Sequence, residues 1–178
     1  MALTKITYAG QGTVPLAQIP TLNLAKIPTL DHTKMPSRSV VQYQYRHVTM
    51  NQGTSTSNSG EAVSEFYVDI TPKNTNNLIV FSTSIAYANS TSAGYAKFNV
   101  YKTISGSTSQ WSSGFNGTAG YVSTAGEWYE VPVITTNTAG TTSAMRLQLY
   151  VITPNGGTTS FGWSNGSGRT VAAWEIAA

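Results

Sequence analysis

Two segments of the sequence combine a tryptophan with neutral hydrogen-bonding side chains, at residues 109–117 and 161–167. A sugar presents apolar C–H faces and many hydroxyls, so a site for it needs a stacking ring together with hydroxyl, amide or backbone partners. The two segments therefore predict a glycan-binding site, although each tryptophan could instead close one end of a core. The candidate ligand-binding residues are Trp111, Phe115, Asn116, Tyr121, Trp163 and Asn165.

The chain lacks the groups on which most catalytic and metal sites depend. It has no cysteine and two histidines, of which His32 lies in a repeat and His47 at the end of a strand pattern. No metal-ligand spacing, phosphate-binding glycine loop or dinucleotide motif is present. We expect a protein that is not an enzyme and holds no cofactor and no metal ion. Carboxylate pairs for glycoside cleavage would have to come from Glu61, Glu65, Asp69, Glu127 and Glu130.

Charge is sparse and uneven along the chain. Only 10% of the residues are charged; residues 1–38 carry a net charge of +3 and the remainder is neutral. A nucleic-acid surface needs clustered lysine and arginine, which are missing. There is neither a run of about 20 apolar residues for a membrane span nor a signal peptide at the start. We therefore expect no nucleic acid partner, no membrane insertion and synthesis in a cytoplasm without conventional secretion.

The elements that must position the candidate residues are strands. From residue 39 onward, apolar and polar residues alternate with period two, as at residues 41–46, 65–70 and 97–104. Stretches rich in glycine, asparagine and proline separate these segments and indicate turns. Eight or so strands without a helix predict an all-β, jelly-roll-like β-sandwich head over residues 39–178. Further strand candidates are residues 78–88, 128–134, 145–152, 158–163 and 170–176.

A proline-punctuated repeat precedes the head. Pro20, Pro28 and Pro36 recur every eighth residue, which excludes a continuous helix and predicts an extended stem over residues 16–38. Ordering eight residues costs about 8 to 16 kcal/mol of backbone entropy, whereas burying three aliphatic side chains returns about 5 to 9 kcal/mol. One strand alone should not order, so we expect a parallel homotrimer; an arm lying in a groove of another protein is the alternative. The expected trimerisation residues are Leu16, Ile19, Leu22, Leu24, Ile27, Leu30 and Met35.

Residues 1–15 form a third, short segment. They contain a few apolar residues around the flexible sequence Gly10-Gln11-Gly12. We expect this segment to dock onto another protein. Its candidate contact residues are Leu3, Ile6, Tyr8 and Val14.

Stem and head together resemble a known family. The octads resemble the Leu-x-x-x-Lys-Ile-Pro-x-Leu repeats of bacteriophage fibre stalks, and the head looks like the C-terminal β-sandwich modules of fibres from phages of aquatic bacteria, particularly cyanobacterial phages. The matching head stretches are residues 39–42, 69–81 and 173–177. The resemblance implies a trimeric appendage on the virion exterior whose head meets the host surface. In place of the large N-terminal adaptor domain of long fibres, the resemblance leaves residues 1–15 as the expected virion anchor.

Three functions follow as hypotheses. The first is a short trimeric tail fibre, bound to a tail or baseplate protein through its N-terminus and to a host cell-surface glycan through its heads. The second is a capsid decoration protein or head fibre with a structural role, bound to the capsid. The third is a depolymerising spike, which the scarcity of carboxylates disfavours.

Overall fold

Antiparallel β-strands account for all the regular structure described. The computed structural model describes residues 35–49, 52–89, 94–111, 118–122, 124–153, 157–162 and 168–178, with the backbone alone at residues 94–95 and 118–122. These residues form eleven strands and no helix, so none of them belongs to a helix that could span a membrane. The strands are β1 (Val40–Thr49), β2 (Gly53–Ser55), β3 (Glu61–Ile70), β4 (Leu78–Asn89), β5 (Gly94–Ile104), β6 (Ser107–Gln110), β7 (Thr118–Val122), β8 (Tyr129–Thr138), β9 (Met145–Ile152), β10 (Thr159–Phe161) and β11 (Gly168–Ile176).

The strands form two sheets that pack as a β-sandwich. The first sheet runs β1-β11-β4-β8, with the short strands β10 and β2 continuing beside the far end of β4. The second sheet runs β3-β9-β5, and β6 and β7 follow one another along the free side of β5. With β6 and β7 counted as one interrupted strand and the short strands β2 and β10 left aside, eight strands remain, and their order is that of a jelly roll. The predicted fold class is confirmed.

Alternation of burial places the core between the two sheets. In β9 every second residue is buried, and in β4 the side chains of Ile79, Phe81 and Ile85 are fully covered. Because successive side chains of a strand point to opposite faces, this period assigns one face of each sheet to the core. The core also takes in Phe66 from β3 and Phe98 from β5.

The strand predictions are confirmed at most positions. The predicted span of residues 145–152 coincides with β9, and residues 78–88 fall one residue short of β4. The short strands β2 and β6 were not predicted, because they lie in stretches of serine, threonine and glycine that carry no apolar alternation.

The side assignment in β1 and β11 differs from the expectation. Tyr43 and Tyr45 are exposed and Trp174 is half-buried on the solvent side. The residues that point between the sheets are instead Gln42, which bonds to Glu175, and Glu175 itself, which is fully buried. Period two was correct, but it does not say which face is the buried one.

A buried carboxylate replaces apolar packing at this corner. Glu175 accepts hydrogen bonds from the backbone N–H groups of Lys73 and Asn74 at 2.7 and 3.2 Å, and from the amides of Asn77 and Gln42 at 2.7 and 2.5 Å. A buried charge is tolerated when hydrogen bonds satisfy it. The loop between β3 and β4 is thereby tied to the last strand.

The start of the head is tied to the same strand. Arg38 donates its N–H to the carbonyl of Ala177, and Ala177 donates its own N–H to the carbonyl of Ser39, both at 2.8 Å. Met35 is half-buried. The remaining predicted stem residues and the predicted anchor lie outside the described residues, so the boundaries at residues 15 and 38 stay predictions.

Candidate functional site

The predicted ligand-binding residues are only partly described. Phe115, Asn116, Trp163 and Asn165 lie outside the described residues. The backbone of Tyr121 lies in β7 opposite Tyr95, and its side chain is not described. Glycan binding by these residues therefore stays a prediction.

Trp111 is part of the core. Its side chain is 1% exposed. Its backbone N–H donates to the carbonyl of Val100, and its backbone carbonyl accepts a hydrogen bond from the side-chain amide of Asn137 at 2.7 Å. The ammonium of Lys102 lies 5.3 Å from the centroid of its ring. The indole thus closes one side of the sandwich and does not offer its face to a ligand. Its Nε1 has no hydrogen-bond partner.

A polar hollow opens on the opposite side, where β1 and β2 face β3. Its volume is about 530 Å³, within the range of small-ligand sites of about 300 to 1,000 Å³. We call this hollow, together with a smaller one that follows it along β1 and β3, the edge groove. The larger hollow is lined by Thr49, Gln52, Gly53, Thr54, Glu61, Ala62, Ser64, Glu65 and Phe161.

A bulge in β3 builds one wall of the edge groove. Ala62 lies opposite Tyr150 and Tyr67 lies opposite Gln148, so four residues of β3 face a single residue of β9. The bulge turns both of its apolar side chains into the core and both of its polar ones, Ser64 and Glu65, outward. Bulges commonly re-aim side chains in this way next to functional sites.

The displaced backbone of the bulge is satisfied from β9. The side-chain amide of Gln148 donates to the carbonyls of Val63 and Ser64, at 3.3 and 3.4 Å. These bonds replace ladder partners that the bulge removes. The wall of the edge groove is therefore held in place.

A glycine forms part of the floor. A Cβ on Gly53 would lie 2.5 Å from Cε2 of Phe161, so the ring packs directly against the backbone of β2. Phe161 is itself 5% exposed and belongs to the core. A larger residue at position 53 would displace this ring and change the floor.

The smaller hollow, of about 280 Å³, lies next along the same edge. The guanidinium of Arg46 lines it and pairs with Glu65 of the larger hollow at 2.6 Å, so this ion pair lies between the two. Arg46 also donates to the hydroxyl of Tyr67. The hollow is lined by Gln44, Tyr45, Arg46, Tyr67, Val68 and Asp69.

Tyr67 is held between two cations. The guanidinium carbons of Arg46 and Arg146 lie 4.1 and 3.8 Å from its ring centroid. Arg146 forms a two-pronged pair with Asp69, at 2.8 and 3.0 Å, and these hydrogen bonds raise the pKa of Arg146 above its ordinary value. The result is a rigid, hydrogen-bonding edge in which aromatic and charged groups alternate.

The edge groove can therefore bind hydroxyl-rich ligands. Glu61, Gln52 and Ser64 offer acceptors and donors that hydroxyl groups use. No group of three or more histidine and carboxylate side chains that could hold a metal ion occurs among the described residues. Sequence reasoning missed this groove because the bulge that forms it has no signal in a period-two pattern.

Comparisons with known proteins give a distant likeness. No protein family and no curated protein sequence matches this chain. Among solved structures, it is similar to the VP2 protein of infectious bursal disease virus, with 16% identity over 97% of this chain and 44% of that one and a TM-score of 0.40.

A second likeness is to a bacterial domain. The xylan-binding domain CBM22-1 of Paenibacillus barcinonensis Xyn10C is 11% identical over 81% of this chain and 99% of that one, with a TM-score of 0.38. This chain spans less than half the length of the VP2 chain. At this distance the function has to be argued from the side chains of the head itself.

Proposed function

We propose that this chain is a short trimeric phage tail fibre without enzymatic activity. Its N-terminal segment attaches to a tail or baseplate protein, its octads hold three chains together, and its heads bind a host cell-surface glycan. It would be located on the virion exterior. The observation that carries the glycan proposal is the edge groove, a concave site of neutral amides, hydroxyls and carboxylates between β1 and β3.

The chemistry of the larger hollow favours a sugar over an anion. Among the described residues, its lining contains two carboxylates and no lysine or arginine. Carboxylates accept hydrogen bonds from sugar hydroxyls and repel acidic groups. We therefore propose a neutral or amino sugar as the ligand. Three such sites on one trimer would bind together, so that avidity exceeds the affinity of one site.

The same groove supports a binding role more than a catalytic one. Glycoside cleavage needs two carboxyl groups that act on one bond. Of the two in the larger hollow, Glu65 already accepts a hydrogen bond from Arg46. Release of reducing sugar from a host polysaccharide by the purified protein would contradict this part of the proposal and support the depolymerising spike.

The glycan proposal is tested by binding to surface polysaccharide extracted from cyanobacterial cells. We expect the purified full chain to bind it, and the double variant Gln52→Ala, Glu61→Ala to bind about tenfold more weakly, as loss of one or two net hydrogen bonds implies. Ser107→Ala, on the exposed strand β6 and outside both tryptophan-containing segments, is the control and should bind as the parent chain does. Unchanged binding by the double variant would place the glycan elsewhere.

A capsid decoration protein or head fibre is the second candidate. It is favoured by the apolar outer side of the first sheet, which could lie on a protein shell as well as on other copies. Labelling the protein in virion images separates the two candidates. Label at the tail supports the fibre, whereas label over the capsid surface supports decoration.

A further inference from the structure

One outer side of the sandwich is apolar, although it faces solvent in the single chain. Tyr45 and Ile134 are 66% and 65% exposed, and Tyr43 and Leu78 are 45% and 40% exposed. Leu78 and Ile134 alternate with the core residues Ile79 and Val133, so they point outward from the first sheet. Tyr43 and Tyr45 pair with Trp174 and Ala172, which alternate with the inward side chains of β11, and therefore lie on the same outer side. Monomeric proteins rarely leave a continuous apolar surface of this kind uncovered. We name it the bare face; its residues are Tyr43, Tyr45, Leu78, Val80, Ile134, Trp174 and Ile176.

The register places its two most exposed side chains in one row. Tyr45 pairs with Ala172, Ala172 with Ser82, and Ser82 with Ile134. Tyr45 lies on β1 and Ile134 on β8, and among the described strands each of these two pairs with one neighbour only, so both are sheet edges. Four strands span about 14 Å from edge to edge. The bare face thus has a large aromatic group at one margin and an aliphatic one at the other.

The geometry points to other copies of this chain as the occupant of the bare face: we propose that three heads turn it toward a common axis. This inference rests on the trimer of the proposed function and adds the surface through which the heads meet. In a closed ring, the β8 edge of one copy meets the β1 edge of the next, which brings Ile134 against Tyr45 of a second copy. Such head-to-tail contacts close when the rotation is a third of a turn. Tyr45 also lines the smaller hollow, whereas the larger hollow, which Tyr45 does not line, stays available to the glycan.

The entry point of the N-terminal segment supports this occupant. Residues 1–34 precede the described part of the chain, and the chain enters the head at residues 35–39, bonded to Ala177 at the end of β11. Ile176 and Leu78, which pair in register, lie on the bare face at this same end. The bare face therefore begins within a few residues of the predicted stem, so three chains joined by that stem would have their bare faces close together.

The charge distribution supports it as well. The rows of Tyr43 and Tyr45 contain no charged residue from β1 across to β8. Farther along, Glu130 pairs with Arg169 at 3.2 Å and with the hydroxyl of Ser84 at 2.7 Å. A centre without charged residues, surrounded by polar groups at the margin, is typical of subunit interfaces. Three identical faces can approach without repulsion.

The test uses the absence of cysteine from the sequence. Ile134→Cys and Ser109→Cys each give the full chain one thiol at a position that is exposed in the single chain, the first on the bare face and the second on the opposite sheet. The rate of reaction with a maleimide is measured on samples whose native mass is measured in parallel. We expect a trimer in which the thiol at position 134 reacts about tenfold more slowly than that at 109, because burial makes a thiol inert.

The outcomes distinguish failure of the proposed head interface from failure of the proposed trimeric fibre. Equal rates in a trimeric sample would overturn the interface and leave the stem trimer standing. A monomer would overturn both, and a dimer would overturn the three-fold arrangement. Leu78→Cys, at the other end of the bare face, is the second position and should follow Ile134→Cys.

Discussion

The two sheets of the head treat their outer surfaces in opposite ways. On the second sheet, the aromatic ring of Tyr67 is covered by two guanidinium groups, and Tyr101 and Tyr150 lie against each other with their ring centroids 4.2 Å apart. On the first sheet, the ring of Tyr43 stacks on Tyr45 and lies tilted against Trp174, and both tyrosines stay exposed. These three outer tyrosines of the second sheet are thus half-buried within one chain, whereas Tyr43 and Tyr45 are not.

The inner sides of the two sheets also differ, because that of the second sheet is apolar along β9 and that of the first includes polar side chains. The second sheet turns aliphatic residues such as Leu147 and Leu149 inward without exception along β9. The first sheet turns Gln42 and Glu175 inward at its β1–β11 corner while Trp174 faces out. This strand pair buries a carboxylate and turns a half-buried indole outward, a pattern that the proposed interface between heads would explain.

The largest loss of stability should come from replacing the buried indole of Trp111. Trp111→Ala should destabilise the head by about 3 to 5 kcal/mol, because a fully buried aromatic group leaves a cavity. Trp174→Ala, on the bare face, is the matched comparison and should cost the isolated head less. Urea unfolding followed by circular dichroism measures both. Equal losses would mean that the two indoles are equally part of the core.

The buried carboxylate should give the next largest effect. Glu175→Ala leaves the backbone N–H groups of Lys73 and Asn74 without an acceptor and should cost about 2 to 4 kcal/mol. Glu175→Gln keeps one acceptor oxygen and should cost less. Loss of less than about 1 kcal/mol in the alanine variant, in the same unfolding assay, would show that water replaces the carboxylate.

A pair of surface changes should sharpen the contrast between the two outer sides. Tyr45→Ser with Ile134→Ser should leave the fold intact and the native mass that of a trimer, while the sedimentation coefficient falls because the heads separate. Thr108→Ala, on the outer side of the second sheet, should change neither quantity. An unchanged sedimentation coefficient in the double variant would mean that the bare faces do not hold the heads together.

The smallest effect concerns alkaline pH. Burial, and then the neighbouring Tyr129, raise the pKa of Tyr87 above its ordinary value. The stability that this group contributes is complete below the unfolded pKa of about 10 and is lost as the pH rises through the folded one. Tyr87→Phe should therefore lose less stability than the parent chain between about pH 9 and pH 11 in urea unfolding. Equal losses would contradict this cause.

The sequence predicted the strands better than the sides on which their residues lie. The residues of β9 alternate strictly, so both its bounds and its inner face could be read correctly. In β1 the alternation of tyrosine with glutamine suggested that Tyr43 and Tyr45 face the core, yet the partner of Gln42 is a carboxylate over 130 residues away in sequence. Local pattern contains no information on such a partner.

The candidate site was harder still to predict. Trp111 was considered both as a ligand platform and as a plug, and only its contacts with Val100 and Asn137 decide between them. The edge groove depends on a bulge in β3 and on the approach of Phe161 to Gly53, two residues that are more than 100 positions apart. The sequence marks Glu61 and Glu65 as candidate carboxylates for glycoside cleavage, but not as the wall of a cavity.

The account depends most directly on the native mass of the purified full chain in solution. We predict a single species of three times the 19.0 kDa chain mass, because the octads and the bare faces both require neighbours. A species of one chain mass that remains so at the highest concentration measured would contradict both the stem and the head interface.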